Sequence, residues 1–207
     1  MIKTNKRLLP DGVTIKREED YRSNVVFNML IEDCHSKCYI CEDTVYTAPN
    51  IDHRVPHKND PLLKYDWNNI FLACSHCNNT KLGRFEGIID PSKVDPENYI
   101  ELELGVDSEL REYVHIRKID GGDDVDITID LLNAVYNGIK TEMKKYACQQ
   151  LKNKILHEII WFQEKLHEYK QNQNIECKSV IDKMLSSESV FSAFKRLIFR
   201  KDRVITL

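Results

Sequence analysis

The stretch Leu72–Lys81 reads LACSHCNNTK and holds two cysteines, Cys74 and Cys77, at Cys-x-x-Cys spacing. A second pair, Cys38 and Cys41, lies upstream with 32 residues between the two pairs. Four thiolates on two such turns make a closed tetrahedral zinc site, which is structural because it leaves no position open for chemistry. The sequence therefore predicts a zinc ion that joins two separate segments of the chain.

The segment between the pairs is longer than a zinc ribbon needs, since ribbons have about 15–20 residues there. Upstream, TVYTAPNIDHRVPH (44–57) is β-branched and broken by proline, which favours a hairpin. WNNIFLACSHC (67–77) predicts a short strand, and HCNNTKLGRF (76–85) predicts one or two helical turns that stop near Gly83. The predicted order is strand, strand, helix.

The polar residues of this segment form a recognisable series. Asp52 and His53 are followed by Pro56, then by Asn69, and then by Asn78 directly after the last cysteine. In type, order and spacing these residues resemble the HNH nuclease family over about residues 38–83. The resemblance implies the ββα-metal fold and a metal-dependent endonuclease that hydrolyses phosphodiester bonds in DNA, or in RNA such as tRNA.

The chemistry of phosphodiester hydrolysis suits these side chains. It needs an activated water and a cation to neutralise charge on the phosphate. His53 is the candidate general base, because a neutral imidazole can take a proton from water at cellular pH. Asp52 and Asn78 supply oxygen ligands for a hard divalent ion, and an asparagine at position 78 favours Mg²⁺ or Mn²⁺. Since strand neighbours point to opposite faces, Asp52 and His53 can share one site only if the strand ends or bends there.

Three further residues have two interpretations each. The family resemblance implies that Asn69 holds the loop and the base in position, although asparagine is also common in turns. Lys81 lies one helical turn beyond Asn78, where it is either a phosphate contact or an ordinary surface lysine. His57 either aids the leaving group or holds substrate, or is a solvated loop residue.

Composition indicates a protein with a core of its own and no membrane segment. Hydrophobic residues make up 42% and charged residues 30%, and the apolar runs fall far short of the roughly 20 residues that a membrane helix needs. The N-terminus lacks the features of a secretory signal, so we expect a cytoplasmic protein with reduced thiols. Three cysteines outside the pairs are then expected in the core or the scaffold: Cys34, Cys148 and Cys177.

Charge is distributed unevenly along the chain. The net charge is −3, which argues against a protein that coats nucleic acid. Residues 94–139 carry 12 acids and 3 bases, whereas residues 140–207 carry 14 bases and 8 acids. Only the C-terminal third therefore has an excess of positive charge, which is either a solvated helical face or a binding surface.

These patterns predict an α+β protein with four segments. A helical lead-in (1–36), with a helix from about Tyr21 that buries Val25, Val26, Met29 and Leu30, precedes the nuclease core (37–93). An acidic segment (94–128) pairs YIELEL with EYVHIRKI as a hairpin. A helical region (129–207) follows, with one apolar stripe and a second apolar helix after the caps Ser186 and Ser187. The stripe consists of Leu151, Ile155, Ile159, Phe162 and Leu166.

The tail also resembles one bacterial HNH group. The stretches IIDPSKVDPENYIEL and DITIDLLNAVYN are similar to the nuclease subunit of anti-phage systems of the Septu type and certain retrons. That resemblance implies an antiviral effector paired with an ABC-type ATPase, for which the basic helical region is a possible docking surface.

Two other functions compete with the nuclease. In one, the zinc stabilises a non-catalytic module that binds nucleic acid or protein. In the other, the cysteine pairs are redox centres, which is weakly supported because neither pair lies in a βαβ context.

Overall fold

A computed structural model of the protein describes Met1 and residues 3–205, with side chains up to residue 202. Four strands form two separate antiparallel pairs: β1 (Pro49–His53) with β2 (Ile70–Cys74), and β3 (Ile100–Val106) with β4 (Glu112–Lys118). The α-helices are α1 (Glu18–Tyr21), α2 (Asn24–Asp33), α3 (Pro61–Lys64), α4 (Ser75–Lys81), α5 (Asp123–Tyr136), α6 (Glu142–Asn172), α7 (Ile175–Leu185) and α8 (Ser192–Ile205).

The predicted order of strand, strand and helix is confirmed between the cysteine pairs. Asp52 of β1 lies opposite Phe71 of β2, and α4 begins directly where β2 ends. The predicted hairpin within residues 44–57 is wrong: Thr44 forms a bridge with Lys37, and only Pro49–His53 is a strand. The reason is that β1 takes its partner from β2, while Pro56 has no N–H to extend the ladder.

The N-terminal helix differs from its prediction. It is two helices, α1 and α2, and Ser23 begins the second by accepting a hydrogen bond from the N–H of Val26. Met29 and Leu30 are buried with Val26 as predicted, but Val25 is 46% exposed, since it lies on the other side of this interrupted helix.

The acidic hairpin is confirmed, with Ile100 opposite Lys118 and Val106 opposite Glu112. The helical region, however, begins at Asp123 and not at Ile129. The first turn of α5 has three aspartates, which stabilise a helix N-terminus through its dipole, so the acidic run belongs to the helix as well as to the connection.

The apolar stripe of α6 is confirmed, because all five of its predicted members are buried. The predicted caps of the last helix are wrong. Ser186 instead ends α7, and α8 begins only at Ser192.

One main hydrophobic core runs through the chain. Its buried members include Leu30, Leu72, Val114, Leu132 and Phe194, which come from all four predicted segments. A smaller cluster packs the far end of α6 against α7 through Phe162, Leu166, Cys177, Ile181 and Met184. The strand pair β1–β2 and helix α4 are therefore built into the same core as the C-terminal helices.

Within the described part of the chain, none of the helices has the length and apolar character required to cross a bilayer.

Candidate active site

The four paired cysteines converge on one point. Their sulfur atoms all lie within 4.8 Å of one another, and those of Cys41 and Cys74 are 3.9 Å apart. A zinc ion with four Zn–S bonds of about 2.3 Å needs sulfurs about 3.8 Å apart, so this donor set fits zinc. Hydrogen bonds with the thiols of Cys38, Cys41 and Cys77 hold the pKa of Cys74 far below its ordinary value.

The two cysteine turns position different elements. In the first, the N–H of Glu42 donates to the carbonyl of Cys38 at 2.9 Å, with Glu42 in the left-handed region at φ 63°. In the second, the sulfur of Cys74 accepts from the N–H of Cys77 at 3.4 Å and caps α4. A zinc ion here would therefore fix the joint between β2 and α4, where Asn78 begins the second turn.

The first cysteine turn is also held by the C-terminal helices. The ammonium of Lys37 donates to the carbonyl oxygens of Ser187 and Ser189 at 2.5 and 2.8 Å. The fully buried carboxylate of Glu42 accepts from the hydroxyl of Ser192 at 3.1 Å. The hydroxyl of Tyr136 donates to the carbonyl of Cys41 at 3.2 Å.

The other cysteines lie in the scaffold. Cys148 and Cys177 are buried and donate to carbonyl oxygens of neighbouring helices, those of Val135 and Lys165. Burial raises the pKa of Cys34 to about 11. His76, next to Cys77 in sequence, points away from the thiols, because its Nε2 lies 2.8 Å from the carbonyl of Val135.

Asp52 forms a buried ion pair with Lys81. The Lys81 ammonium lies 3.2 Å from Oδ1 of Asp52, and the hydroxyl of Tyr39 donates to Oδ2 at 2.6 Å. The side chains of Lys81 and Asp52 are 1% and 7% exposed. Burial raises the pKa of Asp52, while the Lys81 ammonium and the Tyr39 hydroxyl act in the opposite direction.

Lys81 also joins the two neighbouring candidate residues. Its ammonium donates to the carbonyl of His53 at 2.6 Å, in addition to its contact with the Asp52 carboxylate. The ammonium thus faces the end of β1 and not solvent, and in this arrangement it positions the strand end.

His53 lies at the last position of β1 and is half-buried. Its Nε2 is 2.8 Å from the carbonyl oxygen of Lys64, and its ring meets the rings of Tyr21 and His57 at centroid distances of 5.6 and 4.7 Å. A carbonyl can only accept, so in the neutral ring Nε2 carries the proton and Nδ1 keeps its lone pair. Burial lowers the pKa of His53, and the Lys64 carbonyl opposes that effect. Nδ1 is thus the basic atom at neutral pH.

The side chains of Asp52 and His53 leave β1 on opposite sides, as strand geometry requires. Asp52 contacts Tyr39 and Lys81, whereas His53 contacts Tyr21 of α1 and Lys64 of α3. The strand ends at His53, and Lys81 connects the two residues.

Asn69 fastens the loop that follows His53. Its Oδ1 accepts from the N–H of Val55 at 2.7 Å, and its Nδ2 donates to the carbonyls of Val55 and Leu63 at 2.9 and 3.0 Å. Leu63 directly precedes Lys64, whose carbonyl orients the imidazole of His53. The amide of Asn69 therefore acts on the base through the backbone.

His57 packs its ring against His53 at the edge of the same loop. Its Nδ1 accepts from the N–H of Asn59 at 3.0 Å, so the neutral ring carries its proton on Nε2. Nε2–H of His57 is thus a hydrogen-bond donor beside the candidate base.

Asn78 lies on the face of α4 that meets β1. Its Nδ2 is 3.4 Å from Oδ1 of Asn50, which precedes Asp52 by two residues and so shares its side of the strand. One carboxylate and two amide oxygens are the ligand types that a hard divalent ion prefers, so the donor chemistry fits such an ion. The Asp52 carboxylate is paired with the Lys81 ammonium, so a metal ion bound by Asp52 would compete with Lys81.

The sequence interpretation missed two residues of this site. Asn50 could have been found, because residues two apart on a strand share a face. No sequence pattern indicated a role for Tyr39, which lies between the first two cysteines. Its hydroxyl reaches Asp52 only because the fold brings the first cysteine turn over β1.

Comparison with known proteins gives a family match for this part of the chain. The family model described as HNH endonuclease matches residues 32–84, which include both cysteine pairs, β1, β2 and α4. Neither the curated proteins nor the solved structures contain a match to the chain. Over residues 32–84 the chain is thus similar to HNH endonucleases, and this similarity indicates a nuclease that uses a divalent metal.

Proposed function

We propose that the protein is an HNH endonuclease that hydrolyses phosphodiester bonds of DNA, or of RNA such as tRNA, with His53 as general base. The observation that carries the proposal is the anchoring of the His53 ring. Nε2 is tied to the Lys64 carbonyl while Nδ1 keeps its lone pair, and burial keeps the ring neutral near pH 7.

In this mechanism each residue has one task. His53 takes a proton from the attacking water at Nδ1, and Asn69 maintains the loop geometry that orients the ring. His57 can donate a hydrogen bond from its Nε2–H to a phosphate or a leaving oxygen. Lys81 positions Asp52, and its ammonium becomes available for a phosphate contact only if that ion pair opens.

Asp52 and Asn78 would hold the catalytic ion, for which we propose Mg²⁺ or Mn²⁺. When bound, such an ion neutralises negative charge that develops on the phosphate. The cysteine cluster would hold a structural zinc ion and take no part in the reaction.

We further propose that the protein acts in the cytoplasm as the effector of a bacterial anti-phage complex, with an ABC-type ATPase as partner. The support is the similarity of its tail to Septu-type and retron-associated nucleases, together with the basic composition of residues 140–207.

The test is cleavage of plasmid DNA and total RNA with Mg²⁺ or Mn²⁺, with and without the product of the neighbouring operon gene. We expect His53→Ala to abolish cleavage and to leave the zinc content unchanged. His167→Ala is the matched control, because His167 is exposed on α6 and contacts Gln171. Equal cleavage by the wild type and His53→Ala would refute the proposal.

One observation favours a second candidate, a zinc-stabilised binding module without catalysis. Asp52 is already neutralised by Lys81 and faces away from the side of β1 that carries His53. This candidate predicts nucleic-acid binding that needs no divalent ion, and no cleavage under any of these conditions.

A further inference from the structure

A groove lies between α4 and the start of α6, on the side of α4 that turns away from Asp52 and His53. Its cavity has a volume of about 740 Å³ and is lined by residues of α4, of the turn after α5 and of the first turns of α6. Residues 138–147 of this lining lie beyond the segment that matches the HNH family.

The lining carries positive charge only. Arg84, Lys140 and Lys144 line the groove, and no aspartate or glutamate does. Among the described residues none of the three forms an ion pair: Arg84 donates to the carbonyl of Thr80 at 2.5 Å, and Lys144 donates to the hydroxyl of Thr80. Elsewhere in the helical region lysines do pair with acids, as Lys154 does with Asp43.

The remaining lining combines small polar groups with an apolar floor. Asn79 offers an amide, which is a common partner of phosphate and sugar oxygens, whereas the hydroxyl of the buried Thr80 donates to the carbonyl of His76 and accepts from Lys144. Phe85 is half-buried in the floor, and Met143 is 86% exposed at its edge. Proteins bind single-stranded nucleic acid with aromatic rings, on which bases stack, beside positively charged side chains, which contact the phosphates.

The groove adjoins the candidate active site through α4. Asn79 and Thr80 directly follow Asn78, on the side of the helix that turns away from Lys81. The two sides are separated by about 10 Å, the diameter of a helix.

We propose that this groove binds an unpaired stretch of the substrate strand beside the scissile bond. The phosphates would lie on Arg84, Lys140 and Lys144, and one base would pack on Phe85. The proposal rests on the nuclease function proposed above, and it extends the substrate surface into the helical region.

Binding of a fluorescent single-stranded oligonucleotide, with a blunt duplex for comparison, tests this. The zinc-loaded protein carries His53→Ala, and no Mg²⁺ or Mn²⁺ is added, so binding is measured apart from cleavage. We compare Lys140→Gln/Lys144→Gln with the control Lys16→Gln/Lys183→Gln, which removes the same charge at two exposed lysines outside the groove. Thermal unfolding checks that each variant is folded.

For the groove variant we expect the salt slope of single-strand binding to fall by roughly 1.4, since each phosphate contact contributes about 0.7. If the lysines contribute nothing at 1 M salt, affinity at 0.1 M falls about 25-fold. The control should bind like its parent, and Lys140→Arg/Lys144→Arg should retain affinity.

Equal affinity of the groove variant and the control would overturn the inference, and would point to a protein partner for the groove. A parent protein that prefers the duplex, or binds neither probe, would overturn it as well. If the wild type nevertheless cleaves nucleic acid, the proposed function survives and only the groove assignment fails.

Discussion

The buried pair of Lys81 and Asp52 gives the sharpest test of the site geometry. Replacing Lys81 by Met removes the ammonium and leaves a carboxylate that is 7% exposed, with only the Tyr39 hydroxyl to support it. Breaking a buried ion pair by removing one partner costs about 3–5 kcal/mol. The loss also removes the hydrogen bond to the His53 carbonyl, so we expect destabilisation within that range.

The double variant Asp52→Asn/Lys81→Met removes both charges. Because exchanging a whole buried pair for uncharged groups is often close to neutral, it should recover most of the lost stability, with a coupling energy of about 2 kcal/mol or more. Urea unfolding of the zinc-loaded proteins at pH 7 measures both values. With a slope of about 2 kcal/mol/M, a loss of 3 kcal/mol moves the midpoint by roughly 1.5 M.

The deficit of Lys81→Met should also depend on pH. Burial raises the folded-state pKa of Asp52 above its ordinary 3.8, and removing the Lys81 ammonium, which lowers this pKa, raises it further. Protonation of Asp52 therefore stabilises the variant more than the wild type; the effect is complete below pH 3.8 and is lost as pH rises through the folded pKa. Lys81→Met should therefore approach the wild type as pH falls toward 4. A single variant within 1 kcal/mol of the wild type at pH 7, or a double variant as unstable as the sum of its parts, would refute the ion pair.

Three further outcomes are expected. Because burial lowers the pKa of His53 below 6.5, the single-turnover cleavage rate should be level near pH 7 and should fall about tenfold per unit well below that pKa; an inflection above pH 7 would contradict this. Asn69→Ala loses three hydrogen bonds and should cost about 2–4 kcal/mol in urea unfolding and lower kcat, and Asn69→Asp should also be destabilising, because its second carboxylate oxygen would face the carbonyl oxygens of Val55 and Leu63; equal stability of Asn69→Ala and the wild type would count against the loop role. Cys77→Ser should lose its zinc, as measured by elemental analysis, and unfold at a lower urea concentration, while Cys148→Ser should keep the zinc content and the urea midpoint of the wild type. Zinc retained by Cys77→Ser would exclude the four-thiolate site.

The sequence predicted the parts of the fold that depend on residues close together in the chain. The two cysteine turns, the order of β1, β2 and α4, and the β3–β4 hairpin follow from residues close together in the chain. The start of α5 was misjudged because the three aspartates of its first turn were assigned to the acidic segment 94–128, although such acids stabilise a helix N-terminus.

The candidate site was less accessible from the sequence, because its contacts join distant residues. Lys81 is 29 residues from Asp52, and the sequence left open whether it contacts a phosphate or is an ordinary surface lysine; the packing of α4 on β1 instead buries its ammonium. The contact of Tyr39 with Asp52 and the groove between α4 and α6 likewise depend on tertiary packing, which local patterns do not encode. The roles assigned to His53, Asn69 and Asn78 remain predictions until activity is measured.

The attachment of the first cysteine turn to α5 and to the chain before and within α8 has a practical consequence. Lys37, Glu42 and Cys41 form hydrogen bonds with residues between 136 and 192, far outside the stretch that resembles HNH endonucleases. A fragment cut to residues 32–84 would leave a buried carboxylate and a lysine without their partners. The segment that resembles HNH endonucleases and the helices around it should therefore be expressed, stored and engineered together.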